Sequence, residues 1–138
     1  MIDFNVSVAG FTGLTLSVDL AGLSFPEPEN YVRAFSDNDG DGFFETPIFN
    51  FAGTGNLPYT ETTSGVQLTA SFQTFSFPVN SPVPGDTLRL RFELYNDTNS
   101  LNEASAIDNI RIDGIPEPTA GLLLLTGLLG FARRRRTV

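Results

Sequence analysis

The chain has 138 residues, 41% of them apolar and only 17% charged, enough for one domain whose core folds without staples; this composition excludes a disordered acidic tail. All eight basic residues are Arg, and residues 1–115 hold only four of them against fifteen acids, a balance that repels phosphate backbones, excludes nucleic acid as a partner and attracts divalent cations. There is no Cys and no His, which removes disulfides, thiolate zinc sites, Cys nucleophiles and the commonest general base.

From the N-terminus, Phe4, Val6 and Val8 alternate with polar residues, and so do Leu14, Leu16, Val18 and Leu20. Period two predicts strands with one buried face. Further strands are expected at 30–36, 43–51 and 66–79. The clearest is TLRLRFELY, with Leu88, Leu90, Phe92 and Leu94 on one face and Arg89, Arg91 and Glu93 on the other. A last strand is expected at 105–113. Two of these runs change face. Val66, Leu68, Ala70 and Phe72 are out of phase with Phe75, Phe77 and Val79, which demands a bulge or a strand break. Ile107 is out of phase with Ile110 and Ile112, which puts a bulge at Asp108-Asn109. Gly-, Pro-, Asn- and Asp-rich clusters separate the runs. The prediction for residues 1–115 is an all-β domain, an antiparallel β-sandwich of jelly-roll type, followed by a single short C-terminal hydrophobic helix.

Asp37-Asn38-Asp39-Gly40-Asp41-Gly42 is the most chemical-looking segment. Carboxylates at alternate positions before a Gly can wrap a hard cation such as Ca²⁺ in oxygen ligands. An EF-hand is excluded, because Ile48 stands where the bidentate Glu belongs and the flanks read as strands; Glu45 can still supply an oxygen. The competing reading is a polar hairpin turn, which wants the same residue types. A sugar ligand calls for exposed aromatic rings; with no Trp the candidates are Tyr31, Tyr59 and Tyr95, of which Tyr59 and Tyr95 lie in or beside loop-like stretches, against ordinary strand-edge packing. No Ser sits in a nucleophile elbow and no carboxylate pair is marked by its setting, so no enzymatic activity is expected.

Residues 116–138 have three parts in order: Pro116-Glu117-Pro118, the uncharged stretch Thr119–Ala132, and Arg133, Arg134, Arg135 and Arg136. The prolines are expected to break the preceding strand, and Pro118 suits the first turn of a helix. Thr119–Ala132 as a helix would be about 21 Å long at roughly 1.5 Å per residue, a short span of a hydrocarbon core about 30 Å thick. The Arg cluster favours the cytoplasmic side, leaving residues 1–115 outside. An amphipathic core helix is the bland alternative, but the Leu residues circle the helix instead of striping it.

This tripartite tail resembles the PEP-CTERM sorting domain of Gram-negative bacteria. The resemblance covers the tail alone. It implies recognition and cleavage by a membrane protease-transpeptidase, the exosortase, with Pro116, Glu117 and Pro118 as the recognition element, Thr119–Ala132 as a transient membrane span and Arg133–Arg136 as the stop-transfer cluster. It also implies an export signal, whereas MIDFNVSVAGFTGLTLSV has no positive n-region, continuous apolar region or cleavage site; the sequence is therefore expected to be truncated at its N-terminus.

The body, through GLTLSVDLAG, FPEPENYVRAF, LTASFQTFSFPV, LRLRFELYN and SAIDNIRIDG, is similar to bacterial extracellular β-sandwiches of the carbohydrate-binding-module or galactose-binding type. That resemblance implies a second Ca²⁺ site with Asp108 as late ligand and Glu27 or Glu29 as early one; the alternative has Asp108 and Asn109 satisfying backbone groups at the bulge. The expected function is that of an exported, non-catalytic surface or matrix protein, with Ca²⁺-dependent binding of extracellular polysaccharide as the alternative.

Overall fold

The computed structural model describes residues 1–23, 26–55, 58–80, 87–96 and 104–117. Among these there are eight strands and no helix: β1 (Ile2–Ser7), β2 (Phe11–Gly22), β3 (Tyr31–Asp37), β4 (Thr46–Ala52), β5 (Thr60–Glu61), β6 (Gln73–Pro78), β7 (Thr87–Tyr95) and β8 (Ser105–Pro116). They form two antiparallel sheets in a sandwich-like arrangement, one in the order β1-β7-β3-β4-β5 (sheet A) and one in the order β6-β2-β8 (sheet B). The expected short helix at Thr119–Ala132 lies outside the described residues, as do Pro118 and Arg133–Arg136. Among the described residues no helix is long and apolar enough to cross a membrane.

The alternation in the sequence becomes the two faces of each sheet. On β7, Leu88, Leu90 and Phe92 are fully buried, while β2 sends Leu14, Leu16, Val18 and Leu20 inward from sheet B. Aromatic contacts join the sheets: Phe49 of β4 meets Phe77 of β6 in a tilted pair at 4.8 Å between centroids, and Phe51 meets Phe75 edge-to-face at 5.1 Å. Burying each such side chain stabilises the fold by about 1.5–3 kcal/mol.

Both changes of face have a visible cause. Of the two outcomes the change of face in 66–79 allows, a bulge or a break, the structure has the break, before β6. Gln67 makes a single bridge to Thr60, then a turn held by the Thr69 hydroxyl on the Ser71 carbonyl (3.0 Å) leads into Gln73. Leu68 is buried before the break, Phe75 and Phe77 pack on the core after it, and Phe72 in between is 52% exposed. In β8 the pairing with β2 jumps from Ser17↔Arg111 to Asp19↔Asp108, so β8 carries one extra residue there, as the phase of the Ile residues requires. Asn109 adopts φ 48° at this bulge, a value Asn tolerates better than most residues.

Other boundaries shift. The strand expected at 43–51 begins only at Thr46, because Phe43 to Glu45 belong to the β3–β4 loop, and a bulge skips Ile48 beside Pro47. The turn cluster from Gly53 onward packs on the 26–30 loop: Gly53 N–H donates to the Asn30 carbonyl (2.8 Å), and a Cβ at Gly53 would collide with the Glu27 carbonyl oxygen. The last strand extends past 113 to Pro116 instead of breaking before it. Phe11 pairs with Pro116, and Glu117 N–H donates to the Gly10 carbonyl (2.8 Å). Proline is tolerated there because, among the described residues, β8 pairs with β2 alone and lies at the sheet edge.

Candidate functional site

The loop after β3 is built around Asp37, whose side chain is fully buried. Its Oδ1 accepts from Gly40 N–H (2.7 Å) and its Oδ2 from Gly42 N–H (3.0 Å). The two glycines have φ of 80° and 95°, the left-handed conformation that lets both N–H groups turn back on one carboxylate. Arg89 Nη1 reaches Oδ2 at 3.3 Å and also donates to the Gly40 carbonyl. Burial works against the Asp37 charge, but the two N–H donors and Arg89 outweigh it and hold the carboxyl below its ordinary pKa of 3.8. Asn38 braces the loop from the other side, accepting from Ser36 Oγ (2.8 Å) and donating to Thr46 Oγ1 (3.0 Å).

Around this frame lie three exposed acids. Asp37, Asp39, Asp41 and Glu45 each offer an oxygen, and the four oxygens lie within 4.8 Å of one another. Ligands about 2.3–2.6 Å from a shared Ca²⁺ are spaced on this scale. The same carboxylates also serve the turn: Asp39 Oδ1 accepts from Asp41 N–H (3.2 Å) and Asp41 Oδ1 from Phe43 N–H (2.8 Å). The segment is thus a hairpin connection stabilised by its own side chains, with a donor set that fits a hard cation.

Asp108 stands apart from this cluster. Its Oδ1 accepts from Asn109 N–H (2.8 Å), as the bulge alternative requires. Among the described residues it belongs to no group of three or more potential ligands, and neither Glu27 nor Glu29 joins one.

The three Tyr residues separate sharply. Tyr59, a candidate to reach solvent against the alternative of packing, is fully buried; its ring fills the space beside Gly22 and Leu68, and its hydroxyl donates to Asn96 Oδ1. Tyr95 is 47% exposed and stacks on Tyr31 across β7 and β3, with centroids 5.6 Å apart. Arg33 lies 4.0 Å over the Tyr31 ring while bonding Glu93 at 2.7 Å. Further along this outer face of sheet A, Arg91 is held in a two-point bond to Asp3 (2.8 Å each) and lies over the Phe44 ring.

Two polar features escape a reading of the sequence. Glu61 is buried at 6% exposure and closes the turn after β5, its Oε2 accepting from Thr63 N–H (2.9 Å) and Ser64 N–H (2.6 Å). Burial raises its pKa, but these bonds prevail and leave it below 4.5. On the outer face of sheet B, Asp19 accepts from Thr74 Oγ1 (2.5 Å) and from Asn109 Nδ2 (2.7 Å), partners 55 and 90 residues away in the chain. The sequence signals were faint: a Glu before Thr-Thr-Ser-Gly, and one Asp in an otherwise apolar-polar strand. Compared with family models, with curated proteins and with solved structures, the chain matches none.

Proposed function

We propose that the chain is an exported, non-catalytic β-sandwich protein, delivered to the cell surface or extracellular matrix through its C-terminal segment. The observation that carries this reading is the order Pro116-Glu117-Pro118, apolar stretch, Arg133–Arg136, following directly on the body. It is supported by the junction itself: Glu117 N–H donates to the Gly10 carbonyl, and Pro118, next in the sequence, has no N–H with which to extend that ladder. An exosortase cutting near this tripeptide would release a nearly complete sandwich. The stretch Thr119–Ala132 serves as the transient membrane span, with the Arg cluster as the stop-transfer element. A jelly-roll-like connectivity belongs to the same proposal, supported by the way the chain alternates between sheets from β1 to β3 and again from β5 to β8. The test is the intact mass of the protein from its native host, surface fraction against membrane fraction. Loss of everything from about Pro116 onward is expected at the surface. A mass that retains Arg133–Arg136 in every fraction overturns the sorting role.

A second reading, Ca²⁺-dependent binding of extracellular polysaccharide, is favoured by the four converging oxygens of Asp37, Asp39, Asp41 and Glu45. A cation bound only by the folded state raises its melting temperature; at tenfold excess over the dissociation constant the gain is about 1.4 kcal/mol. Millimolar CaCl₂ is expected to raise the melting temperature by a few degrees where NaCl of equal ionic strength does not; equal melts in the two salts discard the cation.

A further inference from the structure

We infer that the outer face of sheet B carries a binding groove for a neutral, polyhydroxylated ligand, a saccharide segment, centred on Asp19, Asn109 and Arg111. The inference rests on the polysaccharide-binding reading and gives it a location. The groove has a volume of 480 Å³ and is lined by Ser17, Asp19, Thr74, Asn109, Ile110 and Arg111. That is within the range of small-ligand sites, roughly 300–1,000 Å³.

A flat sheet face does not ordinarily form a groove. Here the extra residue in β8 disturbs the alternation, and Asn109, at φ 48°, reaches across to the central strand. There its amide donates to one oxygen of Asp19, while Thr74 from β6 donates to the other. All three strands of the sheet thus converge on a single carboxylate. Asp19 is held in one orientation, and its charge is favoured by the donors: Thr74 first and Asn109 second lower its pKa against the opposing effect of burial. A carboxylate has about four acceptor positions, so two remain for a ligand. Arg111 lines the groove and gives its Nε–H to Asp113 (2.8 Å), and its guanidinium carries further N–H donors.

The lining decides the ligand class. One acid and one Arg, the latter already paired with Asp113, stand with hydroxyls and an amide between them and make a site of mixed donors and acceptors. An anion would meet Asp19 and a cation would meet Arg111, each unfavourably. Vicinal hydroxyl groups both donate and accept and suit such a surface. Ile110, 36% exposed, adds the apolar patch that the C–H face of a sugar ring needs. Because the donors and acceptors are fixed beforehand, little ordering is left for the ligand to impose.

The test is a titration of the full chain, held in a zwitterionic detergent without a sugar headgroup, with neutral tetrasaccharides of glucose, galactose and mannose up to about 10 mM, the weak end of specific binding. Amide resonances are followed by heteronuclear NMR. At least one sugar is expected to shift residues 17–19, 74 and 109–111. Asn109→Gly keeps the backbone geometry, since Gly accepts positive φ, and removes the amide; it should weaken binding about tenfold with an unchanged melting temperature. Asp19→Asn should weaken it further. Shifts centred on Tyr31 and Tyr95 would move the ligand to sheet A and overturn the groove while leaving the polysaccharide reading intact. Wild-type affinity in Asn109→Gly overturns the groove too. Absence of any shift with all three sugars overturns the groove and the polysaccharide reading together, and leaves the sorting proposal untouched.

Discussion

Two turns of this molecule are organised by a buried carboxylate, and they differ in what surrounds it. Asp37 accepts from Gly40 and Gly42, and Glu61 from Thr63 and Ser64, so each replaces water with two backbone N–H donors. Around Asp37 stand Arg89, Asp39, Asp41 and Glu45; Glu61 has no such company and belongs to no ligand cluster among the described residues. The difference teaches what a carboxylate inside a turn is for. Glu61 only closes its turn. Asp37 closes its turn and also presents the buried end of a four-oxygen set, balanced by one guanidinium.

The largest effect that can break this comparison is expected from Asp37→Ala. It leaves two N–H groups and Arg89 without their acceptor, and should lower the melting temperature by roughly 10 °C, on the usual scale of about 4–8 °C per kcal/mol for a domain of this size. A loss no larger than that of Glu61→Ala would mean that the Arg89 contact adds nothing. Glu61→Gln ranks next and is read through pH. The native pKa of Glu61 lies below 4.5, so its contribution is complete above that value and disappears as the pH falls through the native one. Chemical denaturation should show the wild type ahead of Glu61→Gln by about 1–3 kcal/mol at pH 7, with the gap closing as the pH falls through the lowered native pKa. A gap that is constant with pH would assign the loss to packing. The smallest effect on the fold belongs to Asp41→Asn, an exposed position that still accepts from Phe43 N–H. Its melting temperature without calcium should stay within a degree or two of wild type, while any calcium-induced rise shrinks. If that rise survives intact, the Asp41 oxygen is not a ligand and the two turns are closer in kind than their surroundings suggest.

Much of the framework was legible from local pattern. β7 and the Leu14–Leu20 part of β2 follow directly from strict alternation, and the bulge in β8 from the phase of Ile107 against Ile110 and Ile112. The Asp37–Gly42 loop was legible because Asn, Asp and Gly alternate where two strands must reverse. The break before β6 was one of the two outcomes that the phase of Phe72 against Phe75 allowed, whereas the short β5 and the burial of Tyr59 were not legible. Tyr59 sits in a stretch as polar as any loop, and its ring is buried by tertiary packing beside Gly22 and Leu68, brought from two other segments. Pro116 misled for a similar reason, since proline opposes a strand unless the position falls on an edge.

The sequence by itself determined that this chain is β throughout its body, where the carboxylate loop lies, and that an apolar stretch with an Arg cluster closes it. These are properties of neighbouring residues: periodicity, turn chemistry and composition act within a few positions along the backbone. Only the tertiary structure decided that Asp19, Thr74 and Asn109 meet on one face, that Glu61 is buried, and that Tyr95 stays exposed while Tyr59 does not. Those outcomes depend on the register of strands far apart in the chain, and a shift of one residue would send every side chain to the opposite face.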